Sequence, residues 1–187
     1  MNFIELNKTI KICKNCKLHA TRTYALCGEG NRHAKMMLIA QAPGREEDQS
    51  GKMFTGPSGK IFHELLKKAN ISKDAIYMTN LIKCYLPKCR RPSKNEIEQC
   101  TKYLEKEIEL INPIVLVSLG FHATRYIFNK YGLQRPPKKE YSHLFGTVFQ
   151  AGSIFVFPLR HPTALLFNPE KRDTMQHNYN KLRVFLD

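Results

Sequence analysis

Two cysteines near the start of the chain have the spacing of a metal-binding pair. Cys13 and Cys16 are separated by two residues, which lets both thiolates bind one metal ion or one iron–sulfur cluster. A zinc ribbon would need a second pair that is equally close, whereas Cys84 and Cys100 have fifteen residues between them. On spacing alone, Cys89 is a rival to Cys84 as a ligand, so that choice stays open at this point.

Three polar side chains near short apolar runs could bind or transform a ligand. Asn80 has an uncharged amide that offers a donor and an acceptor side by side. His161 has an imidazole that can donate to a developing negative charge. Gln41 begins the segment that follows the first predicted strand. These side chains become a site only if the fold brings them together.

The elements that would position these residues are four buried strands. Short runs rich in β-branched or large apolar residues predict strands at 36–39, 76–78, 114–117 and 154–157, with helical patterns between them. This alternation favours an α/β fold, a three-layer α/β/α sandwich with a central, mostly parallel four-stranded sheet. Loops that leave the carboxyl ends of parallel strands form binding sites, so we expect Gln41, Asn80 and His161 to meet at one edge.

The clearest helix start is a capping box at Ser93 and Glu96, where each side chain can accept from the backbone N–H of the other residue. That helix should run to about Ile111. Further helices are predicted at roughly 59–69, 121–130 and 173–185, and loops at 41–59, 85–92 and 132–146.

Length and charge restrict the class of protein. The chain has 187 residues, which fits one domain over residues 1–187, and its formal net charge of +14 favours a polyanionic partner such as nucleic acid. The sequence has neither a targeting segment nor a long apolar run, so we expect a soluble, cytoplasmic protein without a membrane partner. In such a reducing compartment, the six cysteines favour metal binding over disulfides.

Several motifs in order give the chain a resemblance to a known family. They are CKNC at 13–16, GEGN at 28–31, AQAPGREED at 40–48, FTGPSG at 54–59, TNLIKC at 79–84, LG at 119–120 and HPTAL at 161–165. Together they resemble the family-four, iron–sulfur-containing uracil-DNA glycosylases of the uracil-DNA glycosylase superfamily. Each motif alone is unspecific, and the resemblance rests on their joint order and spacing over nearly the whole chain.

The resemblance implies an activity and a cofactor. The activity is that of a monofunctional DNA base-excision repair enzyme, which flips uracil out of DNA, hydrolyses its N-glycosidic bond and leaves an abasic site. The partner is DNA that contains uracil or another deaminated base, and we expect a monomer. The implied cofactor is a [4Fe–4S] cluster with a structural role. Its ligands by resemblance are Cys13, Cys16, Cys84 and Cys100.

The resemblance also assigns the residues that bind the flipped base. Phe54 offers a flat apolar face for stacking, although a phenylalanine after a loop is as often simply part of a core. Asn80 reads the O4 and N3–H edge of uracil, which its amide matches. A backbone N–H of the turn at Gln41 and Ala42 reaches the O2 side of the base.

Catalytic roles and DNA insertion are likewise implied by the resemblance. His161 donates to the charge that develops on uracil O2. Glu47 lines the pocket, where it either holds water or narrows the space near uracil C5. Leu165, in the apolar segment 165–167, enters the gap that the flipped base leaves in the duplex. Surrounding basic residues are expected to contact phosphates, namely Arg90, Arg91, Lys94, Lys138, Lys139, Lys171 and Arg172.

Departures from the family pattern keep alternatives open. Ala40 and Gln41 stand where the family has glycine and glutamate, and Thr163 stands where it generally has serine. The loss of the first carboxylate allows a glycosylase for another deaminated base, or a non-catalytic, cluster-stabilised binder of damaged or single-stranded DNA. A covalent uracil-trapping enzyme is disfavoured, because the extra basic loop with a nucleophilic histidine is not apparent.

Overall fold

The computed structural model describes residues 1–186, except for the side chains of Lys138 and Lys139. A six-stranded sheet crosses its centre. The strands are β1 (Glu29–Gly30), β2 (Met36–Ala40), β3 (Ile76–Asn80), β4 (Val115–Leu119), β5 (Phe149–Ala151) and β6 (Ile154–Leu159), in the spatial order β1-β3-β2-β4-β6-β5. The four predicted strands are confirmed as neighbours in a parallel array.

The predicted count of four strands is wrong, because two short strands extend the sheet at its edges. β1 pairs antiparallel with β3, and β5 pairs antiparallel with β6. With two and three residues, these strands are too short to show an alternating apolar pattern. Both protect the edge of a parallel strand that would otherwise expose unpaired backbone groups.

Seven α-helices lie within the described part of the chain: α1 (Phe3–Ile12), α2 (Arg45–Ser50), α3 (Pro57–Lys68), α4 (Lys94–Ile111), α5 (Phe121–Lys130), α6 (Ala164–Phe167) and α7 (Arg172–Asn180). The capping box of α4 is confirmed, with Ser93 Oγ accepting from Glu96 N and Glu96 Oε2 accepting from Ser93 N. None of these helices is long and apolar enough to cross a membrane.

Helix positions agree with the predictions for α3, α4, α5 and α7, but the three helices α1, α2 and α6 were not predicted. The predicted loop at 41–59 contains α2, whose sequence REEDQS has no apolar period and therefore no helical signal. α1 begins with its own capping box at Asn2 and Glu5. It buries only Leu6 and Ile10.

Helices cover both faces of the sheet, which confirms the three-layer α/β/α fold. Successive residues of β2 point to opposite faces, so that Met37 and Ile39 pack with α1, α4 and α5. Met36 and Leu38 pack with α3 and α7 on the other face. All five residues of each of β2, β3 and β4 are buried, as expected of strands covered on both sides.

The carboxyl ends of the parallel strands meet at one edge of the sheet. Ala40 at the end of β2 lies opposite Asn80 at the end of β3, and Leu119 at the end of β4 lies opposite Leu159 at the end of β6. Backbone bonds also join the turns after β2 and β3, because Leu81 N donates to Ala40 O and Ile82 N donates to Gln41 O. The loops that carry the predicted site residues therefore leave from one place.

Candidate functional site

A cavity of about 350 Å³ opens at this carboxyl edge. We call it the edge cavity. Six residues predicted to bind base or catalyse line it: Gln41, Ala42, Glu47, Phe54, Asn80 and His161. Ten further residues, which were not predicted to line a pocket, complete its wall: Ala40, Pro43, Gly44, Met53, Ser58, Tyr85, Leu86, Cys89, Arg90 and Thr163. Of these, Tyr85, Leu86 and Cys89 could have been suspected from their place directly after the TNLIKC motif.

His161 is held as a neutral imidazole with its proton on one defined nitrogen. The backbone N–H of Thr163 donates to His161 Nδ1 at 3.2 Å, and Thr163 Oγ1 lies 2.6 Å from the same nitrogen. Because a backbone N–H can only donate, Nδ1 must carry the lone pair and Nε2 the proton. Burial lowers the pKa of His161 to about 4, so the ring is neutral at neutral pH. The Nε2–H group is then a donor for whatever occupies the edge cavity.

The approach of His161 to the sheet depends on Gly120, the residue after β4. Gly120 has φ +83°, and a Cβ built on it would lie 3.1 Å from His161 Cβ. A side chain there would be strained and would press on the histidine. The turn after β4 thus helps to fix the position of the ring.

Asn80 is the last residue of β3, and its side chain is buried and lines the edge cavity. Its Nδ2 donates to Met53 Sδ at 3.1 Å. Within the described part of the chain, no donor is hydrogen-bonded to Asn80 Oδ1. The amide therefore has a partner for one hydrogen and an unused acceptor.

Phe54 is held in a conformation that costs energy. Its φ is +53°, a left-handed value that costs of order 1–3 kcal/mol for a residue with a side chain. The ring stacks on Phe62 at 4.0 Å between centroids, and Phe54 O lies 3.2 Å from His63 Nε2. Gly59 makes this possible, because a Cβ there would lie 2.0 Å from Phe54 O. With one face against Phe62, the ring is placed before any ligand arrives.

Two neighbouring acidic residues of α2 have different surroundings. Glu47 is buried and lines the edge cavity, where its Oε1 accepts from Gly56 N at 2.8 Å. Asp48 is also buried, but both of its oxygens accept from Thr23 N at 3.0 Å. Asp48 therefore anchors a loop, and Glu47 is the one of these two residues that presents a carboxylate to the cavity.

The surroundings of Leu165, which the resemblance assigns to DNA insertion, differ from those of its two neighbours. Leu165 is 4% exposed and belongs to the core on the α3 and α7 side. Inserting it into DNA would require it to leave that core. Leu166 and Phe167, in the same predicted segment, are 46% and 77% exposed. The one-turn helix α6 turns these two residues outwards and Leu165 inwards.

Three of the predicted phosphate-contacting residues form ion pairs within the protein, namely Arg90 with Glu96, Lys94 with Glu98 and Arg172 with Glu64. Arg90 donates from Nη1 to Glu96 Oε2 at 2.9 Å and from Nη2 to Glu96 Oε1 at 2.5 Å. This bidentate pair lowers the pKa of Glu96 to about 2, chiefly through the hydrogen bond from Arg90. Arg90 thus fastens the cavity-lining loop to the start of α4. The side chains of Lys138 and Lys139 lie outside the described part of the structure.

The four predicted ligand cysteines line one small second cavity, which we call the cysteine cavity. Its lining includes Cys13, Cys16, Cys84 and Cys100. Cys89, the rival on spacing, instead lines the edge cavity. Among the described residues, no group of three or more His, Cys, Asp or Glu side chains is arranged to hold a single metal ion.

The surroundings of the cysteine cavity suit thiolate ligands. Arg22 Nη1 donates to Cys84 Sγ at 3.2 Å, and Asn15 N donates to Cys13 Sγ at 3.5 Å. Burial raises the pKa of Cys100 to about 11, so this thiol becomes a thiolate only beside a strong positive charge such as a metal centre. Four cysteines around one cavity, two of them with hydrogen bonds to their sulfurs, are a donor set that an iron–sulfur cluster could use.

A buried ion pair connects the cysteine cavity with β3. Lys83 and Glu107 are 1% and 0% exposed, and Lys83 Nζ lies 2.5 Å from Glu107 Oε2. Thr79 Oγ1 also donates to Glu107 Oε2 at 2.8 Å, and Lys83 lines the cysteine cavity. This pair was not predicted from the sequence, although Glu107 lies on the buried stripe of α4 with Cys100, Tyr103, Leu104, Ile108 and Ile111.

Comparison with known proteins identifies the family. A sequence model of the uracil DNA glycosylase superfamily matches residues 27–183. A type-4 uracil-DNA glycosylase of Saccharolobus solfataricus is 37% identical over 95% of this chain and 83% of its own length. Those of Sulfurisphaera tokodaii and Archaeoglobus fulgidus are 35% and 33% identical, over 96% and 95% of this chain and 82% and 90% of their own lengths. The chain therefore belongs to the uracil DNA glycosylase superfamily and, within it, to the type-4 uracil-DNA glycosylases.

Proposed function

We propose that this protein removes uracil from DNA as a monofunctional hydrolase and leaves an abasic site. The observation that carries the proposal is the convergence of Phe54, Asn80 and His161 on the edge cavity, each with the chemistry that one part of a flipped uracil requires. A base inside a duplex cannot reach such a cavity, so the nucleotide must first be extruded, at a cost of a few kcal/mol.

Binding of the flipped base offsets part of that cost. Stacking on an aromatic ring contributes about 1–3 kcal/mol per base, and the ring of Phe54 is already placed against Phe62. Asn80 donates from Nδ2 to uracil O4 and accepts from N3–H at Oδ1, an acceptor to which none of the described residues donates. Cytosine presents the opposite donor and acceptor pattern at this edge, so the same amide disfavours it.

Bond cleavage places negative charge on uracil O2, and the site offers donors for it. The C1′–N1 bond breaks with both electrons leaving on the uracil ring, while water adds to C1′ of the sugar. His161 donates to O2 from Nε2, and the backbone N–H of Ala42 is the second donor. Preorganised donors of this kind contribute several kcal/mol each.

Glu47 is the group we assign to the attacking water. Ala42 has no polar side chain, and Gln41 is a neutral amide that cannot accept a proton. Glu47 Oε1 is held by Gly56 N, which leaves Oε2 to orient a water molecule and to take its proton. The uracil anion that is released then takes up a proton from solvent.

The exposed Leu166 and Phe167, rather than Leu165, are our candidates for the side chains that fill the gap in the duplex. They lie shortly after His161, and apolar wedges need no polar atoms. The charge of +14 supplies the attraction to phosphates that brings DNA to this edge. We propose that residues 1–187 act as one domain and as a cytoplasmic monomer on DNA.

The four thiols of the cysteine cavity fit a [4Fe–4S] cluster, and we propose that Cys13, Cys16, Cys84 and Cys100 ligate it. When bound, the cluster supplies a structural cross-link between the end of α1, the exit of β3 and the middle of α4. Purified protein should carry about four irons per chain. Replacing any of the four by alanine should remove the iron, whereas replacing the half-buried Cys27 should not. Stoichiometric zinc in an anaerobic preparation would contradict the proposal.

A second candidate activity is release of another deaminated base, because Gln41 places a neutral amide where the family has a carboxylate. A panel of duplexes, each with one uracil, hypoxanthine, xanthine or cytosine, distinguishes the candidates. Free uracil alone, with an abasic site in equal amount, supports the primary proposal. Preferred release of a purine supports the second, and tight binding of damaged DNA without release of any base indicates a non-catalytic binder.

A further inference from the structure

Discrimination between uracil and cytosine depends on which way the Asn80 amide faces. An amide rotated by 180° exchanges its oxygen and nitrogen, so it would match cytosine as well as the original orientation matches uracil. Burial in itself does not choose between the two orientations, because the two ends of the amide have nearly the same shape. A neighbour that can accept but not donate would make the choice.

Met53 is such a neighbour. Its Sδ lies 3.1 Å from Asn80 Nδ2, and a thioether sulfur has lone pairs but no hydrogen to donate. With the amide reversed, Oδ1 would face the sulfur, and two acceptors would oppose each other. The contact therefore favours the orientation that places Nδ2 towards Met53.

The position of Met53 is itself fixed from the edge of the sheet. Met53 N donates to Glu29 Oε1 of β1 at 3.0 Å. Its side chain is buried and lines the edge cavity beside Asn80. The next residue is Phe54, so a single short segment delivers both the sulfur and the stacking ring.

We propose that Met53 is a specificity-determining residue, whose sulfur holds the Asn80 amide in the orientation that matches uracil and opposes cytosine. This inference rests on the proposed function. The Asn80 amide has two hydrogens: the one on the side of Oδ1 faces the base and donates to O4, and the other donates to Met53. Binding of uracil and the contact with sulfur are therefore compatible.

Met53→Leu tests the inference, because leucine conserves the volume of methionine and removes the acceptor. The matched control is Met175→Leu, which makes the same exchange in the core at α7. Binding is measured to duplexes with one 2′-fluoro-deoxyuridine or 2′-fluoro-deoxycytidine, because the fluorine slows bond cleavage and allows equilibrium. We expect Met53→Leu to reduce the ratio of uracil to cytosine affinity about fivefold, which corresponds to about 1 kcal/mol.

The expected change has opposite signs for the two bases, with weaker binding of the uracil duplex and stronger binding of the cytosine duplex. An unchanged ratio overturns the inference, and so does an equal loss of affinity for both duplexes, which would indicate a packing defect. Met175→Leu should retain the wild-type ratio. If the wild-type protein itself shows no preference for the uracil duplex, the proposed function fails. This outcome is distinguishable from failure of the inference, because it is measured on the wild-type protein and does not depend on Met53→Leu.

Discussion

Replacing His161 by alanine removes the donor that we assign to uracil O2. The ring is neutral because burial lowers its pKa to about 4, and Nδ1 is already an acceptor from Thr163 N. Its contribution therefore comes from a single Nε2–H group whose position is fixed before the substrate binds. Removing one preorganised oxyanion donor costs about 10²–10³ in rate.

That loss should appear in the chemical step and not in DNA affinity. An interaction that strengthens only as charge develops lowers the single-turnover rate with little effect on ground-state binding. The assay is single-turnover release of uracil from a duplex with enzyme in excess, together with equilibrium binding to the 2′-fluoro-deoxyuridine duplex. His33→Ala, a change at an exposed histidine before β2, is the matched control and should cleave at the wild-type rate.

The same histidine has a consequence for stability. Its pKa lies below the ordinary value of 6.5, so the folded state disfavours the charged ring. Above pH 6.5 the ring is neutral in the folded and the unfolded state, and the free energy of unfolding is at its full value. As the pH falls from 6.5 towards 4, only the unfolded state takes up the proton, and the free energy of unfolding falls by about 3 kcal/mol in total. His161→Ala should therefore unfold with a flatter pH dependence between pH 6.5 and 4. Normal cleavage by His161→Ala, or a loss confined to DNA affinity, would refute the catalytic assignment.

Three other predictions concern Asn80, the buried ion pair of Lys83, and the apolar segment after His161. Asn80→Asp should release uracil more slowly and discriminate less against cytosine, because a carboxylate cannot donate to O4. Unchanged rates on both substrates would contradict the role of Asn80 in reading the base. Lys83→Met should lower the free energy of unfolding in urea by about 3–5 kcal/mol, because it leaves Glu107 buried without its counter-charge. The double variant Lys83→Met/Glu107→Met should recover most of that loss, and equal losses in both variants would contradict the reasoning. Leu165→Ala should lower the free energy of unfolding by about 2–5 kcal/mol. Phe167→Ala should leave the free energy of unfolding unchanged and should slow uracil release from duplex DNA more than from single-stranded DNA. A loss of stability in Phe167→Ala alone would reverse our assignment of the two side chains.

Much of the fold could be predicted from local patterns. The four parallel strands are short apolar runs, and the capping box at Ser93 and Glu96 marks the start of α4 at the correct residue. The edge strands and α2 could not be predicted, because each is too short or too polar to show a period. Their stability comes from pairing with β3 and β6, or from buried carboxylates, and these are tertiary interactions.

For the site, family motifs predicted which residues meet, but not what holds them. Asn80 and His161 were predicted as neighbours of a pocket. The contact of Asn80 with Met53 Sδ depends on a loop that folds back from elsewhere in the chain, and the contact of His161 with Thr163 N depends on the conformation of the turn after β6. Burial of Leu165 instead of Phe167 is decided by the direction of a single helical turn. Charged residues are ordinarily exposed, so only tertiary pairing explains the burial of Lys83.

The most direct test of the account is to quantify the products from a duplex with one uracil, using iron-loaded wild-type protein. We predict free uracil and abasic sites in equal amounts, with the DNA strand intact until alkali is added. Release of no base, despite tight binding of the uracil duplex, would contradict the account, as would a covalent protein–DNA adduct in place of free abasic DNA.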